Sequence, residues 1–352
     1  LKTKFRIIII VAIVLIAAIV LPRLKSPEKI KKPERAVEQR LLMMAFFENG
    51  WGGVYGDSLP VFQENYRSVD TISPCWYSVD DDGQIRVDRS RTEVLDFSRS
   101  KGVPVIPLVT NWQGKSSRFL TDETARRNSL THLADLARNY RGLNLDIEYL
   151  PSNFKAPLVQ YVQELRRLFA REKKRLFVCV YPQVDFPESR SGLHDYYGLS
   201  GACDGLIMMA YDYHRPGTPA GPVAPISWVE ANIQYALKTV APGKLWLGIP
   251  GYGYRWRGGA KAEAIPAWKA AEDAREQKIP VQWDRASRTP YFILGENSAD
   301  GVVWYEDRRS TEAKIKLAKK YRLKGVALWR LGYEAKDFWG LFQARSQNST
   351  KN

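Results

Sequence analysis

Residues 141–149 read Arg-Gly-Leu-Asn-Leu-Asp-Ile-Glu-Tyr, a run in which polar and aliphatic residues alternate. Successive side chains of a strand point to opposite faces, so Asn144, Asp146 and Glu148 share one face and Leu143, Leu145 and Ile147 the other. Two carboxylates side by side in an interior are costly unless they are hydrogen-bonded or one keeps its proton, because each raises the other's pKa. An acid catalyst needs that condition, although an ion-paired core cluster or a cation site would use the same spacing. Other chemistries have few parts to work with. Cys75, Cys179 and Cys203 form no CxxC or other close pair, and His132, His194 and His214 are widely separated. These counts argue against a disulfide framework, a zinc centre and a serine-histidine relay, and they leave buried free thiols as the plainer expectation.

The elements that must carry these residues follow from periodicity. Short apolar runs rich in β-formers at 41–47, 71–76, 103–109, 143–147, 176–181, 205–210, 245–249 and 325–329 alternate with helical patterns such as 124–140 and 158–171. Eight strands alternating with helices predict an α/β fold of the (β/α)8 TIM barrel type, with its active site at the carboxyl ends of the strands. An open doubly wound sheet is the alternative, but no glycine-rich phosphate turn follows the first strand. The stretch between the seventh and eighth strands is too long for one helix and its turns. It predicts a small α+β insertion at about 258–306, with a helix at 265–277 and short strands at 281–283, 291–294 and 302–305. The barrel is expected over 41–343, followed by a polar tail at 344–352.

The run Gly142-x-Asn144-x-Asp146-x-Glu148 resembles the DGxDxDxE signature of glycoside hydrolase family 18, which includes chitinases. Met209-Ala-Tyr211-Asp212 is similar to that family's MxYD motif, Leu247-Gly-Ile-Pro-Gly-Tyr-Gly253 to its seventh strand, and Gly325-Val-Ala-Leu-Trp329 to its eighth, with the floor tryptophan. Together these cover nearly all of residues 41–340. Residues 209–214, 221–225 and 304–307 resemble one branch of the family, the bacterial spore cortex-lytic N-acetylglucosaminidases and related spore-germination hydrolases. Two positions depart from the chitinase pattern. Asn144 stands where most chitinases have aspartate and is similar to what the spore branch carries, while Arg141, at the amino end of the strand, is expected to have a structural effect only.

The resemblance implies hydrolysis with retention, assisted by the substrate's own acetamide group, so that one well-placed acid suffices. Glu148 would protonate the glycosidic oxygen and later activate water. Asp146 would orient the acetamide and stabilise the oxazolinium ion, with Asn144 setting the orientation and protonation of Asp146. Tyr211 would bond the acetamide carbonyl, Asp212 would hold the distorted sugar, and Trp329 would floor it, with Met209 beside them. Tyr181 and Trp256, and also Trp76, Trp112 and Tyr254, fall at predicted strand ends, where rings stack on sugars or simply belong to the core. His214 is expected to be satisfied by a neighbouring backbone group. The implied substrate is a polysaccharide containing β-linked N-acetylglucosamine, in peptidoglycan or spore cortex, with chitin or chitooligosaccharides as the alternative. A non-catalytic glycan-binding protein is a further alternative, against which the intact acid pair counts. No cofactor, no metal and no specific nucleic-acid partner are expected, and the chain is expected to be a monomer.

Composition and charge bear on location. With 45% hydrophobic, 26% charged and 12% aromatic residues, the 352-residue chain has material for a large core and too little polarity for disorder. Its net charge is +15, and ten of the 53 Lys and Arg lie in the first 40 residues, against three of the 38 acidic residues. Residues 7–21 are fifteen consecutive aliphatic residues with basic flanks. No small-x-small cleavage site follows, so residues 1–24 are expected to be an uncleaved signal anchor, the alternative being a removed signal peptide of a secreted protein. Residues 25–40 then read as a polar tether to an extracytoplasmic enzyme. The basic surface suits an anionic wall polymer or membrane, since no basic motif interleaved with RNA-binding aromatics is present.

Overall fold

The computed structural model describes residues 40–50, 56–87, 90–258, 262–297 and 300–342. The expected membrane segment at 1–24, the tether as far as residue 39 and the tail at 344–352 lie outside them. Eight strands run parallel: β1 (Leu42–Phe47), β2 (Thr71–Val79), β3 (Leu108–Asn111), β4 (Gly142–Asp146), β5 (Arg175–Val180), β6 (Gly205–Met208), β7 (Leu245–Pro250) and β8 (Gly325–Trp329). Each pairs with its sequence neighbours, and β1 pairs with both β2 and β8, which closes the sheet into a barrel.

The strands form where aliphatic residues are buried on both faces, as in β1, where five of six residues are buried. Gly142 opens β4 because a Cβ there would stand 2.0 Å from the Arg175 carbonyl oxygen of β5. The helices cover the barrel with one apolar stripe each. In Lys155–Arg171 the buried residues are Leu158, Tyr161, Val162, Leu165 and Phe169, at spacings of three and four. Helix Glu123–Ala137 starts at Asp122, whose side chain accepts the Ala125 N–H at 2.9 Å.

Between β7 and β8 stands a lobe with a five-stranded antiparallel sheet. Its order is Glu263–Pro266, Tyr252–Arg257, Gly301–Tyr305, Thr289–Ile293 and Gln282–Asp284, and helix Ala267–Glu276 packs against it over a small core around Phe292 and Val303. The predicted α+β character holds, but the sheet begins at Tyr252, immediately after β7, and neither Tyr252–Arg257 nor Glu263–Pro266 is among the strands that the patterning predicts. The Ile85–Val87 strand, antiparallel to the end of β2, is a further addition. The third barrel strand also differs. The apolar run at 103–109 is interrupted by Pro104 and Pro107, which have no N–H to give a ladder, so Val105 makes only an isolated bridge to Ile72 and the strand proper is Leu108–Asn111.

The lobe is fastened to the barrel's last helix, Arg308–Lys320, by a buried ion pair. Lys314 Nζ lies 2.8 Å from Glu306 Oε2 with side-chain exposures of 2% and 1%. Burial pushes the Glu306 carboxyl upward and the Lys314 ammonium opposes that shift. Lys314→Met leaves the carboxylate uncompensated and should lower stability by about 3 kcal/mol. Urea denaturation beside the double variant Lys314→Met/Glu306→Gln checks this, the double variant recovering part of the loss.

Candidate active site

Asn144, Asp146 and Glu148 project from β4 and its continuation into the carboxyl end of the barrel, as alternation requires. Asn144 is fully buried, its amide donating to Ser73 Oγ at 3.3 Å and its carbonyl facing the Cys179 thiol at 3.6 Å. Asp146 and Glu148 are partly exposed at the bottom of a cleft of about 700 Å³, whose wall includes Glu48, Cys75, Thr110, Trp112, Tyr149 and Trp329. Asp146 Oδ1 is buried with no hydrogen-bond partner among the described residues. Burial first, and then the charge of Glu148, hold the Asp146 carboxyl well above the ordinary aspartate range. Glu148 is also raised by burial, although hydrogen bonds from Tyr181 and Asp146 pull it back.

Glu148 is held at both ends. Tyr181 Oη donates to Glu148 Oε2 at 2.7 Å. Asn111, at the end of β3, accepts the Glu148 N–H through Oδ1 and donates through Nδ2 to the Glu148 carbonyl, both at 3.0 Å. Tyr181 is itself fixed, because its N–H donates to His194 Nδ1 at 3.0 Å and its carbonyl accepts the Tyr196 hydroxyl at 2.6 Å. That assigns the His194 proton to Nε2, which faces the Ile147 carbonyl at 3.2 Å. Burial lowers His194 to about 4, so it is a neutral brace between the ends of β4 and β5.

The other predicted residues fall on the same end. Asp212 follows β6, where its carboxylate accepts from Tyr252 Oη at 2.5 Å and Tyr254 Oη at 2.9 Å. Burial raises Asp212, and the two tyrosines oppose the shift. Tyr211 and Met209 are buried, Tyr211 edge-on to Tyr252 at 6.3 Å. Burial pushes the Tyr211 hydroxyl well up, with nearby Cys179, Asp146, Glu148 and Asp212 adding to the shift. Trp329 ends β8 on the cleft wall with its ring edge-on to Phe46 at 5.2 Å. Tyr149 and Asp212 both adopt positive φ, 59° and 62°, a conformation that costs a non-glycine residue energy and that is found here next to the acids.

The predicted aromatic platforms divide. Trp112 is 42% exposed on the cleft wall, whereas Trp76 is wholly buried and donates to Asn49 Oδ1 at 3.3 Å. Trp256 lies in the lobe's sheet, donates to the Thr218 carbonyl at 3.3 Å and is not among the cleft-wall residues. Tyr181 and Tyr254 hold acids in addition to their packing. His214 faces the Pro219 carbonyl at 2.9 Å, and Arg141 is an exposed residue at the amino end of β4. Asn111, Glu48, Tyr252 and His194 are the residues that sequence reading leaves out. Glu48 directly follows a predicted apolar run and Asn111 stands two residues after one, at the carboxyl end where barrel sites lie, and that position was the available signal.

Residues 44–334 match glycosyl hydrolases family 18. A cortical fragment-lytic enzyme of Bacillus subtilis is 28% identical over 264 residues, covering 70% of this chain and 61% of the relative, so the chain spans less than two thirds of that protein's length. The spore cortex-lytic enzyme SleL of Bacillus megaterium superposes with a TM-score of 0.78 at 22% identity, covering 88% of this chain and 74% of that one. A chitinase of Chromobacterium violaceum superposes with a TM-score of 0.77 at 23% identity, covering 86% and 97% respectively. At these identities the structural likenesses establish the shared fold.

Two outcomes follow from the geometry. Because burial raises both acids above their unfolded values, the native chain holds more protons than the unfolded one, and stability falls as pH rises through the raised values. The stability gain of Asp146→Asn over the unaltered protein should therefore grow as pH rises above the ordinary aspartate range, read from urea midpoints. A gain independent of pH would mean that Asp146 ionises normally in the fold. Asn111→Ala, which frees the main chain at Glu148, should lower kcat about tenfold with little change in KM, as steady-state kinetics would show.

Proposed function

The chain belongs to glycosyl hydrolase family 18 and is a glycosidase, and from that premise we propose that it cleaves β-linked N-acetylglucosamine in peptidoglycan, spore cortex included. The reaction is retaining and assisted by the substrate acetamide. The observation that carries this reading is the pairing of a clamped Glu148, its carboxyl raised by burial, with an Asp146 whose Oδ1 is buried and unpartnered among the described residues. An orphaned acceptor at that depth suits an N–H supplied by substrate. Asp146 accepts the acetamide N–H and turns its carbonyl oxygen toward the anomeric carbon. Glu148 gives its proton to the departing glycosidic oxygen, and later takes one from the water that opens the oxazolinium ring. Tyr211 donates to the acetamide carbonyl, Asp212 holds the distorted ring through its tyrosine-anchored carboxylate, and Trp329 lies beneath the sugar.

Peptidoglycan is favoured as substrate by Asn144 and by the name of the cortical fragment-lytic relative. The strong basic charge suits an anionic wall. The aliphatic run at 7–21 holds the enzyme at the outer face of the membrane as an uncleaved anchor, and the catalytic barrel works there as a monomer. Chitin is the second reading, resting on the same acetamide chemistry.

Digestion of purified wall peptidoglycan, spore cortex and chitooligosaccharides, with mass spectrometry of the new reducing ends, tests both readings. Fragments ending in N-acetylglucosamine should appear from wall or cortex and fall at least about a hundredfold in Glu148→Gln. Cleavage of chitooligosaccharides alone would move the substrate to chitin. Glycan binding without cleavage would mark a lectin.

A further inference from the structure

Two arginines stand on the edge of the site formed by the segments after β5 and β6, and neither has a carboxylate partner within ion-pair distance among the described residues. Arg190, in the short helix Glu188–Ser191, lies with its guanidinium 5.0 Å from the centre of the Tyr149 ring, which lines the cleft. Arg215 lies 5.1 Å over the Phe186 ring, and one of its nitrogens donates to the Asp212 carbonyl at 2.8 Å. The rings beneath them are continuous, Tyr149 to Tyr181 at 6.3 Å and Tyr181 to Phe186 at 5.6 Å, and Tyr181 holds the acid Glu148. A file of aromatic rings thus carries two cations beside the reacting centre. Cations seated on ring faces are held in place while their N–H groups remain available to a ligand.

Arg86, which lines the cleft itself, shows the contrast. It stacks on Trp112 of the cleft wall, but its Nε and Nη2 both reach Asp80 Oδ2, at 2.8 and 2.7 Å, so its charge is already answered. Arg190 has no carboxylate in contact among the described residues, and its charge reaches Glu148 and Asp212 only across the site. A neutral glycan offers two guanidinium groups without an ion-pair partner only uncharged hydroxyl and carbonyl acceptors, whereas a sugar bearing a lactyl ether or a peptide stem offers a carboxylate, for which a planar guanidinium has matching geometry.

We propose that Arg190, with Arg215 beside it, binds a carboxylate carried on the substrate glycan, so that this edge of the cleft separates an acidic wall glycan from neutral chitin. The assignment rests on the peptidoglycan reading of the same site and gives that reading a specificity element. Arg190 makes the cleaner probe, because Arg215 also supports the backbone at Asp212.

The test uses the full chain and Arg190→Gln, with muramyl fragments whose carboxylate is either free or converted to the amide. The ratio of kcat/KM for the free acid over the amide should exceed about ten in the unaltered protein and fall to about one in Arg190→Gln, with partial return in Arg190→Lys. Fragments whose acid is the lactyl group itself and fragments whose acid sits on a peptide stem are run separately, and the arm that loses its preference identifies the carboxylate. An equal fall on acid and amide, or a shifted pH profile without a change in the ratio, would overturn the proposal and leave Arg190 as electrostatic support for Glu148.

Calorimetric binding of the same fragments to Glu148→Gln, with and without Arg190→Gln, separates the two levels of the argument. Preference for the acid without cleavage by the unaltered enzyme would sink the peptidoglycan hydrolase reading and keep the carboxylate site. Cleavage without preference would do the reverse.

Discussion

Asp146 and Glu148 are two carboxyl groups two residues apart on one strand and its continuation, largely shielded from water at the bottom of the cleft, and both cannot ionise there without raising the energy of the fold. The surrounding residues are arranged around that cost. Tyr181 and a hydrogen bond from Asp146 partly offset the burial of Glu148, and Cys179 does the same more weakly for Asp146. The net effect is that both acids stay raised, and a raised carboxyl group can hold a proton near neutral pH for delivery to a leaving group. Stability is sacrificed locally for chemistry, as the positive φ values of Tyr149 and Asp212 also indicate.

Holding such a pair in register is a backbone problem before it is a side-chain problem. β4 ends at Asp146, so Glu148 lies beyond the last rung of the ladder and needs another means of fixing its main chain. The Asn111 side chain supplies both hydrogen bonds that a neighbouring strand would have given, and His194 bridges Ile147 to Tyr181 in the same way one residue earlier. Side chains thus continue the sheet past its edge, and they do so without covering the cleft that substrate must enter. On the far side, two tyrosines from the lobe's first strand reach Asp212, so the lobe takes part in building the site.

The family assignment and the charge pattern lead in one direction. Family 18 chemistry depends on an acetamido sugar, which chitin and peptidoglycan share, so the acid pair alone does not separate the two. What differs between the polymers is the acidic substituent, and the unpaired arginines stand where such a substituent would matter. On the proposed reading the acid pair would define the bond broken, and the rim of the site would distinguish the polymers that present it.

Most of the barrel and its acids were legible without coordinates because they rest on local rules. Period-two alternation at 143–148 places Asn144, Asp146 and Glu148 on one face of any strand, and eight apolar runs separated by helical patterns leave few topologies besides a closed barrel. Tyr211, Asp212 and Trp329 were legible only through the resemblance of their motifs to a known family. The braces were not legible, since Asn111 is 37 residues from Glu148 in sequence and their contact exists only once β3 lies beside β4. Trp76 and Trp112 look alike in sequence, both near the ends of apolar runs, yet one fills the core and the other faces the cleft, a difference set by how far each strand extends. The strand at Tyr252–Arg257 was hidden for the same reason, because an antiparallel partner from residues 301–305 makes it a strand, and the pattern of its own residues does not. Chemistry carried by neighbours in sequence was determined by the sequence, and chemistry that depends on distant segments meeting was decided by the fold.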